Sequence, residues 1–112
     1  MRVNTYQKIE NLLYNYQDFK KVVEEKEKSG EVDNIPITVK YVGMIEKALD
    51  DIRTDEYYDI IPLIYYHRLT TEEVGEELEK NVSTIYRNKK RLIKKLEIKL
   101  MSDDVLLNIL NA

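Results

Sequence analysis

The chain has no cysteine and no tryptophan, one histidine and one phenylalanine, and only three glycines and two prolines among its 112 residues. Without cysteine, disulfides and thiolate metal sites are excluded. His67 has no second histidine or cysteine with which to complete a metal site. No apolar run approaches the roughly 20 residues needed to span a bilayer, and the opening Met1-Arg2-Val3-Asn4-Thr5-Tyr6 lacks the apolar segment of a secretory signal. The expectation is a soluble, cytoplasmic chain without a membrane partner. No glycine-rich phosphate loop is present, and no serine has a neighbouring histidine to activate it. The acid pairs Asp50-Asp51 and Asp103-Asp104 are adjacent in sequence, and neighbouring helix residues do not face one another. No catalytic site is expected, and no cofactor.

What is present is charge, unevenly placed. Charged residues make up 35% of the chain and the net charge is −3. Between Lys80 and Lys99 lie eight basic residues (Lys80, Arg87, Lys89, Lys90, Arg91, Lys94, Lys95 and Lys99) against one acid, Glu97, so this stretch carries +7 and the remainder −10. Polarisation of this kind steers one face towards a polyanion while the rest of the molecule stays soluble.

With so little glycine and proline, the apolar residues read at helical period throughout. Ile9, Leu12, Leu13, Tyr16, Phe19, Val22 and Val23 form one stripe over residues 5–28, closed by Ser29-Gly30. A helix of about 24 residues is roughly 36 Å long, more than a small helical domain is wide. Part of it is therefore expected to project or to meet a second chain, making residues 1–30 a dimerisation helix in a homodimer or higher homo-oligomer. Pro36 opens a second helix with the stripe Ile37, Tyr41, Met44, Ile45, Ala48, Leu49 and Ile52, broken at Arg53-Thr54-Asp55. Residues 56–67 are apolar nearly all round, which predicts a buried central helix kinked or limited by Pro62. Its tyrosines, Tyr57, Tyr58, Tyr65 and Tyr66, read as core packing. A short fourth helix runs from Thr71 to Leu78 behind a hydroxyl cap with acids in its first turn. A fifth runs from about Asn81 to Met101, after which Ser102-Asp103-Asp104 caps an apolar tail containing Val105, Leu106, Leu107, Ile109 and Leu110. The fold class is all-α, four or five helices in one domain, with the helical core in residues 35–101.

Residues 70–99 predict a helix-turn-helix. Two helices crossing closely over a short turn need a small residue at the contact, and Gly75 provides it between core-facing Val74 and Leu78. Asn81 caps the second helix, and Ile85, Leu92, Ile93 and Leu96 form its inward stripe. That helix is then free to enter a DNA major groove with its first turns on base edges and its cations on phosphates. The candidate DNA-contacting residues are Val82, Ser83, Thr84, Tyr86, Arg87, Lys89, Lys90, Arg91 and Lys94.

The segment Thr71-Glu-Glu-Val-Gly-Glu-Glu-Leu, followed by Ser83-Thr-Ile-Tyr-Arg and Arg91-Leu-Ile-Lys-Lys-Leu, resembles the region-4 helix-turn-helix of sigma-70-type factors. It runs without a gap over residues 69–96. The layout of the whole chain resembles small phage regulators of the ArpU and RinA type. That resemblance implies a sequence-specific, double-stranded DNA-binding transcriptional regulator of phage, prophage or mobile-element origin, with RNA polymerase as a further partner. The chain is too short to carry the other regions of a complete sigma factor, so it would act as a separate activator or half of a split factor. Three features depart from the pattern. Glu79 and Lys80 occupy a turn that usually holds glycine and an aliphatic residue, Asn88 stands where a core residue is usual, and the first helix is strongly acidic (Glu72, Glu73, Glu76, Glu77, Glu79). These acids would either pair with the basic residues or present a surface to RNA polymerase. Two other readings stay open: a small-terminase-like DNA-packaging component, and an interaction module that no longer binds DNA.

Overall fold

A computed structural model describes residues 5–30 and 36–101, with side chains at 5–30 and 42–100. The apolar tail expected after Ser102 lies outside the described residues. Among those described, the protein is all helical and contains no strand. No helix among them is long and apolar enough to cross a membrane.

Helix α1 spans Thr5–Ser29 and ends at Gly30, whose φ of 79° takes the left-handed conformation that suits glycine. Helix α2 spans Pro36–Ile52. A five-residue π-helical turn, Pro62–Tyr66, follows, then α3, Thr71–Leu78, and α4, Val82–Met101. The centre of the fold is α4, which packs against α1, α2 and α3. Its inward residues Ile85, Leu92, Ile93 and Leu96 are fully buried. They meet Ile9, Leu13 and Tyr16 of α1, Ile45, Leu49 and Ile52 of α2, and Ile60, Ile61 and Tyr65 around the π turn in one continuous core.

Two expectations need correction. The core is not confined to residues 35–101, because α1 contributes Ile9, Leu13 and Tyr16 to it. Further along, Val23 packs with Val42 in a small satellite cluster. The apolar stripe of α1 is thus spent largely within the chain, with Val22 left exposed.

Residues 56–67 are also not a continuous helix. The chain takes tight i+3 turns, with Tyr58 N–H donating to the Asp55 carbonyl and Ile61 N–H to the Tyr58 carbonyl. It then widens until His67 N–H reaches the Pro62 carbonyl five residues back. Pro62 stands at the first position of that turn, where no N–H donor is needed. The proline therefore starts a helical turn instead of kinking one. The tyrosines pack as expected: Tyr65 is buried, and Tyr57, Tyr58 and Tyr66 are half-buried against the core.

The α3 boundaries agree with the sequence. Thr70 Oγ1 accepts from Glu73 N–H, and Glu73 Oε1 accepts from Thr70 N–H in return, a reciprocal capping box. The far end closes as a Schellman turn, Lys80 N–H on the Gly75 carbonyl and Glu79 N–H on the Glu76 carbonyl. This puts Glu79 at φ 55°, ψ 46°, a conformation that costs a residue with a Cβ about 1–2 kcal/mol. Glu79→Gly is accordingly expected to stabilise the protein by up to about 1 kcal/mol, part of the gain being offset by the greater freedom of glycine in the unfolded chain. Urea titration measures this as a raised midpoint at unchanged slope; a lowered midpoint would show that Glu79 makes a compensating interaction.

Candidate nucleic-acid interface

Residues 79–81 join α3 to α4. The Asn81 carbonyl accepts from Thr84 and Ile85 N–H at 3.0 and 3.1 Å, so the helix begins where the sequence placed its cap. Gly75 sits at the crossing: a Cβ there would lie 2.9 Å from the Lys80 carbonyl oxygen and 3.7 Å from Val82 Cγ2. The small residue is required because backbone fills the space.

From this start, Ser83, Arg87, Lys90 and Lys94 recur at intervals of four, three and four, which places them on one face of α4. All four are exposed, opposite the buried stripe. Val82 and Tyr86 are exposed beside them. Among the described residues Arg87, Lys90 and Lys94 make no ion pair, nor does Lys80 in the turn.

The other three candidates are half-buried. Thr84 lines an open groove against α3 together with Glu72, Gly75, Glu76 and Glu79. Lys89 is turned inward, its Nζ 3.4 Å from Glu10 Oε2 and its side chain 14% exposed. Arg91 forms a two-pronged pair with Asp55, 2.7 and 2.8 Å. Lys95 reaches the same carboxylate at 3.3 Å, and Lys99 reaches Asp51 at 3.4 Å. Half of the basic run is therefore engaged in holding α4 to the rest of the fold, and only half faces outward uncommitted.

Asn88 has a role in this arrangement. Its Nδ2 donates to the Thr84 carbonyl at 2.8 Å, and its Oδ1 accepts from Arg91 Nε at 3.1 Å, aiming the guanidinium at Asp55. A polar residue at this position serves the brace, as an apolar one could not.

Asp55 and Glu10 were missed as partners from the sequence, where Asp55 read only as a helix breaker. Asp55 Oδ1 also accepts from Tyr57 N–H at 2.9 Å. The Arg91 hydrogen bonds, helped by Tyr57 N–H, hold the Asp55 carboxyl well below the usual carboxylate range. A carboxyl depressed on folding contributes stability above its unfolded value, near 3.9, and loses it as pH falls towards the folded value. Arg91 and Lys95 remain 39% and 49% exposed, so solvent screening limits the loss in Asp55→Asn to about 1 kcal/mol. The expected signature is a melting-temperature deficit that is constant from pH 5 to 8 and closes below about pH 4. A deficit independent of pH would mean that the ion pair contributes nothing.

The α3 glutamates do not pair with the α4 cations. Glu72, Glu73, Glu76, Glu77 and Glu79 are all exposed, and the α4 ion pairs run to Glu10, Asp51 and Asp55. The two adjacent aspartates diverge, Asp50 to Arg53 and Asp51 to Lys99.

No family model matches the chain, and neither does any curated protein or solved structure.

Proposed function

We propose that α3, residues 79–81 and α4 form a helix-turn-helix that binds double-stranded DNA, and that the chain is a sequence-specific transcriptional regulator resembling sigma region 4. The observation that carries this reading is the outward stripe of α4. Ser83, Arg87, Lys90 and Lys94 share one face, and its three cations have no carboxylate partner among the described residues although the chain as a whole is acidic. Uncommitted cations in line along a helix match phosphates flanking a major groove, while Ser83 and its neighbours in the first turns meet base edges. The exposed α3 glutamates repel phosphate and so restrict the duplex to the α4 side, a device for orientation. A regulator reading paired half-sites would bind as two copies.

On this reading the cations without a carboxylate partner bound the number of phosphates the face would neutralise. The basic run by itself suggests on the order of six; Lys80, Arg87, Lys90 and Lys94 make about four. At about 0.9 per phosphate, log affinity should fall with log salt at a slope of about −3.6, or roughly 100-fold between 50 and 200 mM. Fluorescence anisotropy with a labelled random-sequence duplex measures it. A flat salt profile, or no binding at 50 mM, would remove this reading in favour of a protein-interaction module.

A further inference from the structure

Helix α4 exposes three large apolar side chains, Val82 at 40%, Tyr86 at 53% and Ile98 at 72%. Ile98 stands apart near the far end. Val82 and Tyr86 are one turn apart in the first two turns, so their side chains are neighbours. They lie beside Ser83, Arg87 and Lys90, within the surface that would face DNA.

Tyr86 is also held. The Lys89 ammonium lies 5.1 Å from its ring centroid, within cation–π range. Lys89 is fixed in turn by Glu10, whose Oε2 accepts the Tyr65 hydroxyl at 2.6 Å. Burial and the Glu10 carboxylate push the Tyr65 phenol far up, so it stays a donor. A line of contacts thus runs from the core through Tyr65, Glu10 and Lys89 to an exposed ring. Lys89, a candidate DNA contact from the sequence, is here engaged with Glu10 and braces the Tyr86 ring.

From this we infer that Val82 and Tyr86 read thymine methyl groups in the major groove. The inference rests on the duplex-binding reading above. Of the four bases only thymine presents an apolar group, its C5 methyl, on the major-groove edge. A valine isopropyl has no hydrogen bond to offer a base, and it packs on a methyl. The tyrosine ring edge does the same while its hydroxyl stays in water. The cations alongside supply the charge complementarity that brings a duplex to this patch. Residues 82 and 86 are about 6 Å apart along the helix, close to two base-pair steps. The preferred site should therefore carry thymines within about two steps of one another under the first turns of α4.

The test uses the full chain. A bound duplex is selected from a random pool, and its Kd is compared with that of the same duplex carrying deoxyuridine at the selected thymines, which removes only the methyl. Loss of each methyl should weaken binding about fourfold. The Val82→Ala, Tyr86→Ala double variant should bind the thymine duplex about 15-fold less tightly or worse, as both methyl contacts are lost, and no longer distinguish uracil from thymine. Val82 stands beside the Gly75 crossing and Tyr86 against Lys89, so the thermal melt of the variant is recorded beside the parent's and the affinities are compared at a temperature where both are fully folded. Equal affinity for thymine and uracil, or a uracil penalty that survives in the double variant, overturns the methyl reading. If salt-dependent binding persists in that case, the duplex-binding reading stands; if no duplex binds at any salt concentration, both fall.

Discussion

Gly75→Ala is expected to destabilise the protein by about 1–3 kcal/mol, lowering its melting temperature by roughly 5–20 °C. The added methyl group would stand 2.9 Å from the Lys80 carbonyl oxygen. That oxygen belongs to backbone held by the Schellman turn, where Lys80 N–H donates to the Gly75 carbonyl at 2.9 Å. No flexible side chain can yield. To admit the methyl, α3 and α4 must move apart, which loosens Val74 and Ile85, both fully buried. The better helix propensity of alanine, about 1 kcal/mol, offsets only part of this. Gly43→Ala is the control: its Cβ would meet nothing within 4 Å, so the same substitution in α2 should stabilise by up to about 1 kcal/mol. Calorimetry on the pair checks both. Equal shifts in one direction would mean that close approach at Gly75 has no energetic weight.

The second large effect is expected in binding. Replacing Arg87, Lys90 and Lys94 together by alanine should lower duplex affinity at 50 mM salt by at least about 100-fold. The slope of log affinity against log salt should fall from about −3.6 to about −1, as three of four phosphate contacts vanish. All three side chains are exposed and without ion pairs among the described residues, so folding should be unaffected. The comparison variant is Lys95→Ala, which carries a cation from the same run that is bonded to Asp55. It should leave the salt slope unchanged. Were it to lower the slope as much per charge as the triple variant does, the division of the run into outward and bracing cations would be wrong.

Much of the fold was legible because it rests on local rules. The period of Ile9, Leu13 and Tyr16, the capping pair Thr70 and Glu73, the stop at Gly30 and the stripe Ile85, Leu92, Ile93 and Leu96 are all signals carried within a turn or two of chain. Gly75 was legible for a related reason, since a short connection between two amphipathic helices forces a close crossing that only a small residue permits. The central segment was misread because its period and its composition conflicted. Residues 56–67 are apolar enough for a buried helix, but Asp55 turns the chain tightly and Pro62 restarts it as a π turn. Tyr65, within that turn, is buried in the core.

At the interface the division is sharper. The sequence by itself determined that α4 is basic, that it begins within a residue or two of Asn81 and that Ile85, Leu92, Ile93 and Leu96 face the core, because charge and a 3.6-residue period require no partner. Only the tertiary structure decided which cations are free. Arg91 is 36 residues from Asp55, and nothing local announces that Lys89 will meet Glu10. An ion pair between distant residues depends on how helices are placed against one another, and that placement comes from burial of the whole core. One basic run thereby became two sets of residues: Arg87, Lys90 and Lys94 facing out, and Lys89, Arg91, Lys95 and Lys99 holding the helix in place.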